Sequence, residues 1–181
     1  MKILIASDIH GAESNCAQLI EACYQELAEA VLLLGDILDG NRGVAEMLNK
    51  LNNEKTILCV RGNCDYLEDQ LMLDFPIMAE YCLLSAGNRL IFATHGHRPI
   101  PNLSSDSILL HGHTHVPSWE QAKAGLIDLC PGAVSHPRRN SQCGYMLLSD
   151  DGFIWKDLDG RTYHELKFTT LLSKVNKGKI Y

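Results

Sequence analysis

Residues 2–11 read KILIASDIHG, a short apolar run of strand length that stops at polar residues and a glycine. Two further apolar runs end in the same way, Ala30–Leu34 at Gly35-Asp36 and Thr56–Val60 at Arg61-Gly62-Asn63. The segments between these runs carry apolar residues at helical spacing. This β-α-β-α-β order predicts a parallel sheet whose strands are joined by right-handed crossovers.

Two helices are predicted between these strands. Ser14 is in a position to cap the first helix, which is expected to continue to about Glu29. The apolar stripe of this helix consists of Leu19, Ile20, Cys23 and Leu27. The second helix carries the same spacing at Val44, Met47, Leu48 and Leu51.

The second half of the sequence predicts another sheet. Short apolar runs, each ending in a polar or glycine-containing turn, lie at Arg89–Ala93, Ser107–Leu110 and Gly125–Cys130. Three more runs are separated by hairpin-type turns and predict a meander: Gly144–Ser149, Phe153–Leu158 and Tyr163–Phe168. The whole pattern predicts an α/β fold with two packed sheets. Residues 1–181 are expected to form one domain, ending from about residue 169 in a short tail or a final helical turn.

Composition restricts the class of protein. The 181 residues are 46% hydrophobic and 21% charged, as in a globular domain. The formal net charge of −6 argues against a partner made of long nucleic acid, which requires a basic surface. No apolar run approaches the roughly 20 residues that cross a bilayer, so no membrane association is expected. The seven cysteines have no paired spacing, and this pattern predicts reduced thiols in a cytoplasmic protein.

The residues that carry chemistry follow the apolar runs directly. In open α/β sheets, ligands bind beyond the carboxyl ends of the strands, where loops from different strands meet. Such strand ends hold seven candidate metal ligands: Asp8, His10, Asp36, Asn63, His95, His113 and His115. Taken singly, each of these is typical of a turn or a structural histidine. Their joint occurrence at strand ends predicts one shared site.

Imidazole nitrogens with carboxylate and amide oxygens suit first-row divalent ions such as manganese, iron, zinc or nickel. In Asp8-x-His10 and His113-x-His115, alternate side chains of an extended backbone can face one ion. Seven donors exceed the needs of one tetrahedral ion and suit two adjacent ions bridged by one carboxylate, with Asp36 as the expected bridge. Two such ions can hold a hydroxide between them and clamp a phosphoryl group.

The sequence resembles the calcineurin-like metallophosphoesterases over residues 1–150. The matching blocks are Asp8-Ile9-His10-Gly11, Gly35-Asp36-Ile37-Leu38-Asp39, Arg61-Gly62-Asn63-Cys64-Asp65, Thr94-His95-Gly96 and Gly112-His113-Thr114-His115. Within the family it is most similar to small bacterial phosphodiesterases of the YfcE type, in Arg61–Asp65, His113–Pro117 and Pro131–Ser135. The resemblance implies two mixed β-sheets flanked by helices. Many members of this family depend on manganese or nickel, so the resemblance also implies a divalent metal of this kind for this protein.

The resemblance assigns the seven ligands to two ions. The first ion would be held by Asp8, His10, Asp36 and His115, and the second by Asp36, Asn63, His95 and His113. The implied reaction is hydrolysis of a phosphoester, most readily a small phosphodiester, by a metal-bridging hydroxide. YfcE-type relatives are often dimers or tetramers, so a homo-oligomer is one expectation.

Several residues are candidates for catalytic or substrate-binding roles. Asn63, Cys64 and Asp39 are the candidate catalytic residues, with Asp39 and Asp65 expected to support the ligands. Larger relatives carry a histidine where this chain has Cys64, and a thiol is a poor acid near neutrality. We therefore expect phosphodiesters with good leaving groups to be preferred.

The candidate substrate-binding residues are Arg61, His97 and Arg138. Arg61 could instead orient the loop that carries Asn63, and His97 could instead support the ligands. Arg138 and the neighbouring Arg139 could hold phosphate oxygens or be exposed surface charges. His111 is expected to be a packed or surface residue.

Two alternative functions remain open at this point. A phosphomonoesterase or protein phosphatase would use the same ligands on a different ester. A non-catalytic binding scaffold, of which the retromer subunit with this fold is an example, would need no intact ligand set, whereas all seven ligands are present here.

Overall fold

The computed structural model describes residues 1–121 and 126–175. It contains four helices: α1 (Glu13–Gln25), α2 (Arg42–Asn52), α3 (Leu67–Gln70) and α4 (Phe168–Val175). Its strands are β1 (Ile3–Ala6), β2 (Ala30–Leu33), β3 (Thr56–Cys59), β4 (Tyr81–Ala86), β5 (Arg89–Thr94), β6 (Ile108–Leu110), β7 (Ser118–Gln121), β8 (Ile127–Cys130), β9 (Gly144–Ser149), β10 (Gly152–Asp157) and β11 (Thr162–Lys167).

A six-stranded sheet contains the predicted β-α-β-α-β unit together with the meander. Its strand order is β11-β10-β9-β1-β2-β3. β1, β2 and β3 are parallel neighbours, and β9 joins them by pairing antiparallel with β1. The three meander strands pair antiparallel in succession, as their hairpin turns predicted.

A five-stranded sheet forms the second layer, in the order β4-β5-β6-β8-β7. β5, β6 and β8 are the three short apolar runs and lie parallel, while β4 and β7 are antiparallel edge strands. These two edge strands and the short α3 were not predicted. An edge strand buries only part of its side chains, so its apolar pattern is weak; β7, with its sequence SWEQ, is an example.

The apolar core has two parts. Residues of both sheets, among them Ile5, Leu32 and Ile91, fill the space between the layers. On the other side of the six-stranded sheet, α1 and α2 bury Leu19 and Leu48 against strand residues. The predicted pair of mixed sheets with flanking helices is therefore confirmed. Every helix in the described part of the chain is too short or too polar to span a bilayer.

Two local predictions differ from the structure. The N-cap of α1 is Ala12, with no side-chain hydrogen bond, so Ser14 lies inside the helix and does not cap it. The helix also ends at Gln25, because Leu27 has a left-handed φ of +54° that cannot continue a helix. At the carboxyl end, α4 occupies Phe168–Val175, longer than the tail or single turn expected there, and residues 176–181 lie outside the described range.

Candidate metal centre

The seven predicted ligands converge at one end of the sandwich. Loops after β1, β2 and β3 contribute four of them, and loops after β5 and β6 contribute the other three. Main-chain hydrogen bonds tie neighbouring loops together, for example from the N–H of His10 to the carbonyl of Asp36 at 3.0 Å. The N–H of His113 donates across the two sheets to Oδ2 of Asp8 at 3.1 Å. The parallel strands of both sheets thus deliver their polar ends to a single site.

One group of donors consists of Asp8, His10 and His115. Nδ1 of His10 lies 3.0 Å from Oδ2 of Asp39, and Nδ1 of His115 lies 2.9 Å from the carbonyl oxygen of His136. Because both partners can only accept, each Nδ1 carries the proton and each Nε2 keeps a lone pair. Nε2 of His115 is 3.2 Å from Oδ1 of Asp8. That Oδ1 is buried and has no hydrogen-bond partner among the described residues.

A second group is built around Asp36 and His95, with His113 within ligand distance. Nδ1 of His95 donates to the carbonyl of Leu34 at 2.6 Å, so Nε2 is the atom turned toward the site. This Nε2 lies 3.3 Å from Oδ2 of Asp36 and 3.1 Å from Oδ1 of Asn63. Two oxygens therefore lie within 3.3 Å of this nitrogen, and all three atoms can donate an electron pair. This donor set fits a divalent cation.

Asp36 lies between the two groups. Its Oδ2 is 3.3 Å from Nε2 of His95 and 3.6 Å from Nε2 of His10. Burial acts to raise the pKa of Asp36, but hydrogen bonds from His95 and from the N–H of Cys64 lower it to about 2. Burial likewise acts to lower the pKa of His95, but Asp36 raises it above its ordinary value. A proton held here occupies the position of a cation, and a metal that binds would displace it.

Five of the predicted ligands have left-handed backbone conformations. Their φ values lie between +48° and +65°, in Asp8, His10, Asp36, His113 and His115. Such conformations cost roughly 1–2 kcal/mol for a residue with a Cβ. They persist only where the surrounding structure determines them, and they cluster at functional sites. The sequence contains no signal for this feature.

Comparison with known proteins agrees with this geometry. Residues 1–151 match the sequence profile of the calcineurin-like phosphoesterase superfamily domain. The chain belongs to this superfamily. Phosphodiesterase YfcE of Escherichia coli strain K12 is 35% identical over 166 residues, which cover 83% of this chain and 89% of that protein. The probable metallophosphoesterase YsnB of Bacillus subtilis strain 168 is 27% identical over 161 residues, covering 82% of this chain and 84% of the relative.

The solved structure of the E. coli YfcE phosphoesterase has the same fold. It superposes with a TM-score of 0.83 at 32% identity and covers 93% of this chain and all of that one. A metallophosphoesterase family implies divalent metal ions, and the two donor groups of this phosphoesterase are suited to hold them.

Cys64 lies inside the site of this phosphoesterase. Its N–H donates to Oδ1 of Asp36 at 2.8 Å, and its Sγ accepts from Nδ2 of Asn63 at 3.2 Å. This second bond turns Oδ1 of Asn63 toward His95. Burial and then the negative charges of Asp36 and Asp39 raise the pKa of the Cys64 thiol to about 11. The thiol therefore stays protonated and is a weak acid at neutral pH.

The candidate substrate-binding residues separate into two kinds. Arg138 lines a cavity of 440 Å³ over the donor groups, which we call the first cavity. Arg61 and His97 are not among the residues that line it. Nε of Arg61 donates to the carbonyl of Asp65 at 3.2 Å, and this contact orients the loop that carries Asn63. The ring of His97 packs 5.3 Å from that of His95, at the edge of the site.

Two aspartates support the loops of the phosphoesterase. Asp39 holds His10, as described above. The buried carboxylate of Asp65 accepts from the main-chain N–H groups of Asp36, Ile37 and Gly62 at 2.7–2.9 Å. Asp65 thereby joins the loops that follow β2 and β3.

One cavity residue was not identified from the sequence. His136 lines the first cavity, and its ring meets that of His10 edge-on at 6.0 Å. It lies in the loop after β8, immediately beyond the Pro131–Ser135 segment. The Pro131–Ser135 segment was the signal that could have pointed to His136, because it matches the family and so marks this loop as part of the site. His111, expected to be packed or exposed, pairs its Nε2 with Oδ1 of Asp128 at 2.8 Å.

Proposed function

We propose that this protein is a metal-dependent phosphodiesterase that holds two divalent ions. Asp8, His10, Asp36 and His115 would bind the first ion, and Asp36, Asn63, His95 and His113 the second. The observation that carries the proposal is the position of Asp36 between Nε2 of His10 and Nε2 of His95. A carboxylate placed between two sets of nitrogen donors suits a bridge between two cations. Mn²⁺ is the proposed ion, with Ni²⁺, Zn²⁺ or iron as alternatives.

The chemistry that such ions supply is a lowered pKa for a bound water and neutralisation of charge on the phosphoryl oxygens. The residues of the chain prepare the site for it. Leu34, Asp39 and His136 hold the Nδ1 protons of His95, His10 and His115, so that each Nε2 is free to bind. The guanidinium of Arg138, over the same cavity, is proposed to bind phosphoryl oxygens.

Proton delivery to the leaving group limits the choice of substrate. The Sγ of Cys64 keeps its proton, since the pKa of the thiol is about 11. A proton donor this weak contributes little to the departure of a basic alkoxide. We therefore propose that the substrate is a small phosphodiester whose leaving alcohol is fairly acidic.

Metal removal tests the proposed function. After exhaustive treatment with EDTA, hydrolysis of bis-p-nitrophenyl phosphate is expected to fall by at least about 100-fold, because the donor groups alone cannot activate water. Added Mn²⁺ is expected to restore the activity. The parallel assay with p-nitrophenyl phosphate separates a diesterase from a monoesterase. Activity that survives chelation unchanged would refute the metal mechanism, and a preference for the monoester would favour a phosphatase.

Substitution of Cys64 tests the role of the thiol. Cys64→Ala is expected to lower kcat/KM for bis-p-nitrophenyl phosphate by no more than about tenfold, because the thiol is not an effective acid. The pH profile of kcat is expected to keep its shape. A loss as large as that of a metal ligand, or a basic limb of the profile that disappears, would identify Cys64 as the proton donor.

We further infer that the protein is located in the cytoplasm. We also propose that the chain forms a homo-oligomer. All seven cysteines are unpaired. Burial raises the pKa of Cys16 and of Cys130 to about 12, and thiols of this kind are inert core residues. Free thiols in this number suit a reducing compartment.

A further inference from the structure

A second cavity adjoins the first on the outer face of the five-stranded sheet. Its volume is 560 Å³, and it is lined by His111, Thr114, Val116, Pro117, Ser118, Glu120, Asp128, Arg138 and Arg139. Arg138 lines both cavities. Arg138, the residue proposed to hold phosphate, therefore lies between the second cavity and the first cavity over the donor groups. A phosphodiester carries two alcohols, and the position of the second cavity suits one of them.

Two carboxylates lie side by side among the residues that line the second cavity. Glu120 of β7 is the register partner of Asp128 of β8, so their side chains leave the same face of the sheet. Asp128 is engaged by Nε2 of His111 at 2.8 Å. The side chain of Glu120 makes no hydrogen bond or ion pair with any residue that the structure describes. Glu120 is exposed, so within the described ranges its carboxylate is open to a ligand.

A hydroxyl in the same cavity is also unpaired. Oγ of Ser118 is buried and has no hydrogen-bond partner within the described ranges. Ser118 and Glu120 are alternate residues of β7 and lie on the same face. Leaving a buried hydroxyl unpaired costs free energy, which a ligand hydroxyl would recover.

The charges of the second cavity nearly balance. Arg138 and Arg139 line it together with Glu120 and Asp128, and Asp128 already has His111 as its partner. This balance gives an ammonium group little advantage over a neutral ligand. Free acceptors in a neutral cavity favour a neutral ligand that carries several O–H donors.

We propose that the second cavity binds the retained alcohol of the phosphodiester, and that this alcohol is hydroxyl-rich, as a polyol or sugar is. Arg138 would hold the phosphate where the cavities join, while Glu120 and Ser118 accept hydrogen bonds from the alcohol. This inference rests on the proposed phosphodiesterase function. The inference adds a substrate class to that proposed function.

The test compares two diesters that share p-nitrophenolate as the leaving group. One carries a 2,3-dihydroxypropyl group as its second alcohol, and the other carries a propyl group. The unaltered enzyme is expected to prefer the dihydroxypropyl ester by about tenfold in kcat/KM, and Glu120→Ala, which removes the acceptor oxygens, is expected to bring this ratio close to one. Glu165→Ala, an exposed change of the same kind on β11, is the matched control and should keep the ratio.

Three results would overturn the inference. They are the absence of a preference in the unaltered enzyme, a ratio that Glu120→Ala leaves unchanged, and a Glu120→Ala effect confined to a 2-aminoethyl ester, which would assign the cavity to cations. Calorimetry provides a second measurement. Glycerol 3-phosphate should bind about tenfold more tightly than propyl phosphate, and Glu120→Ala should remove the difference. If neither diester is hydrolysed, the proposed function fails, and the calorimetry still decides the binding preference.

Discussion

Asp36→Asn is expected to lower kcat/KM for bis-p-nitrophenyl phosphate about 1000-fold. The amide keeps the size of the carboxylate, and its oxygen can still accept from the N–H of Cys64. What it loses is the negative charge between Nε2 of His10 and Nε2 of His95, which the two proposed metal positions would share. Weakening both proposed metal positions would remove several kcal/mol of transition-state stabilisation, and about 4 kcal/mol corresponds to that factor.

The measurement pairs kinetics with metal analysis. The Asp36→Asn variant is expected to bind less Mn²⁺ per chain at equal free metal, while its circular dichroism spectrum stays that of the parent. Asp159→Asn, an exposed aspartate in the turn after β10, is the control for loss of one charge. Equal metal content with full activity in the Asp36→Asn variant would contradict the bridging role of Asp36.

Gly62→Ala is expected to damage both the site and the stability of the fold. A Cβ at residue 62 would lie 2.0 Å from Oδ1 of Asp36 and 2.3 Å from its main-chain nitrogen. Neither atom can move without displacing the loop after β2. Overpacking of this kind costs about 1–3 kcal/mol, which lowers Tm by about 3–10 °C in a chain of this length. Displacing Asp36, a proposed metal ligand, by about 1 Å is expected to reduce kcat roughly 100-fold.

Gly160→Ala is the matched control for Gly62→Ala. An added Cβ at residue 160 meets nothing within 4 Å, although its φ of +81° gives the substitution a backbone cost. A modest fall in Tm with unchanged kcat is therefore expected there. If Gly62→Ala behaved like this control, the close contact between the loops after β2 and β3 would not be needed for catalysis.

Much of the site could be predicted because strand ends are visible in the sequence. An apolar run that stops at Asp36 or at His95 marks both the end of a strand and the residue that follows it. Parallel strands send these ends to a common edge, so seven distant residues could be assigned to one site. The edge strands β4 and β7 could not be found in this way, and the second cavity, which β7 lines, was missed with them.

The amino-acid sequence by itself determined the two sheets, the order of the donor residues and the membership of the phosphoesterase family. Only the tertiary structure decided which nitrogen of each histidine faces the site. That choice depends on partners far along the chain, such as the carbonyl of Leu34, which is 61 residues from His95. The left-handed backbone of Asp8 and Asp36 was decided in the same way. Periodicity records which residues are buried, whereas these features arise from contacts between loops that meet only after the strands have paired.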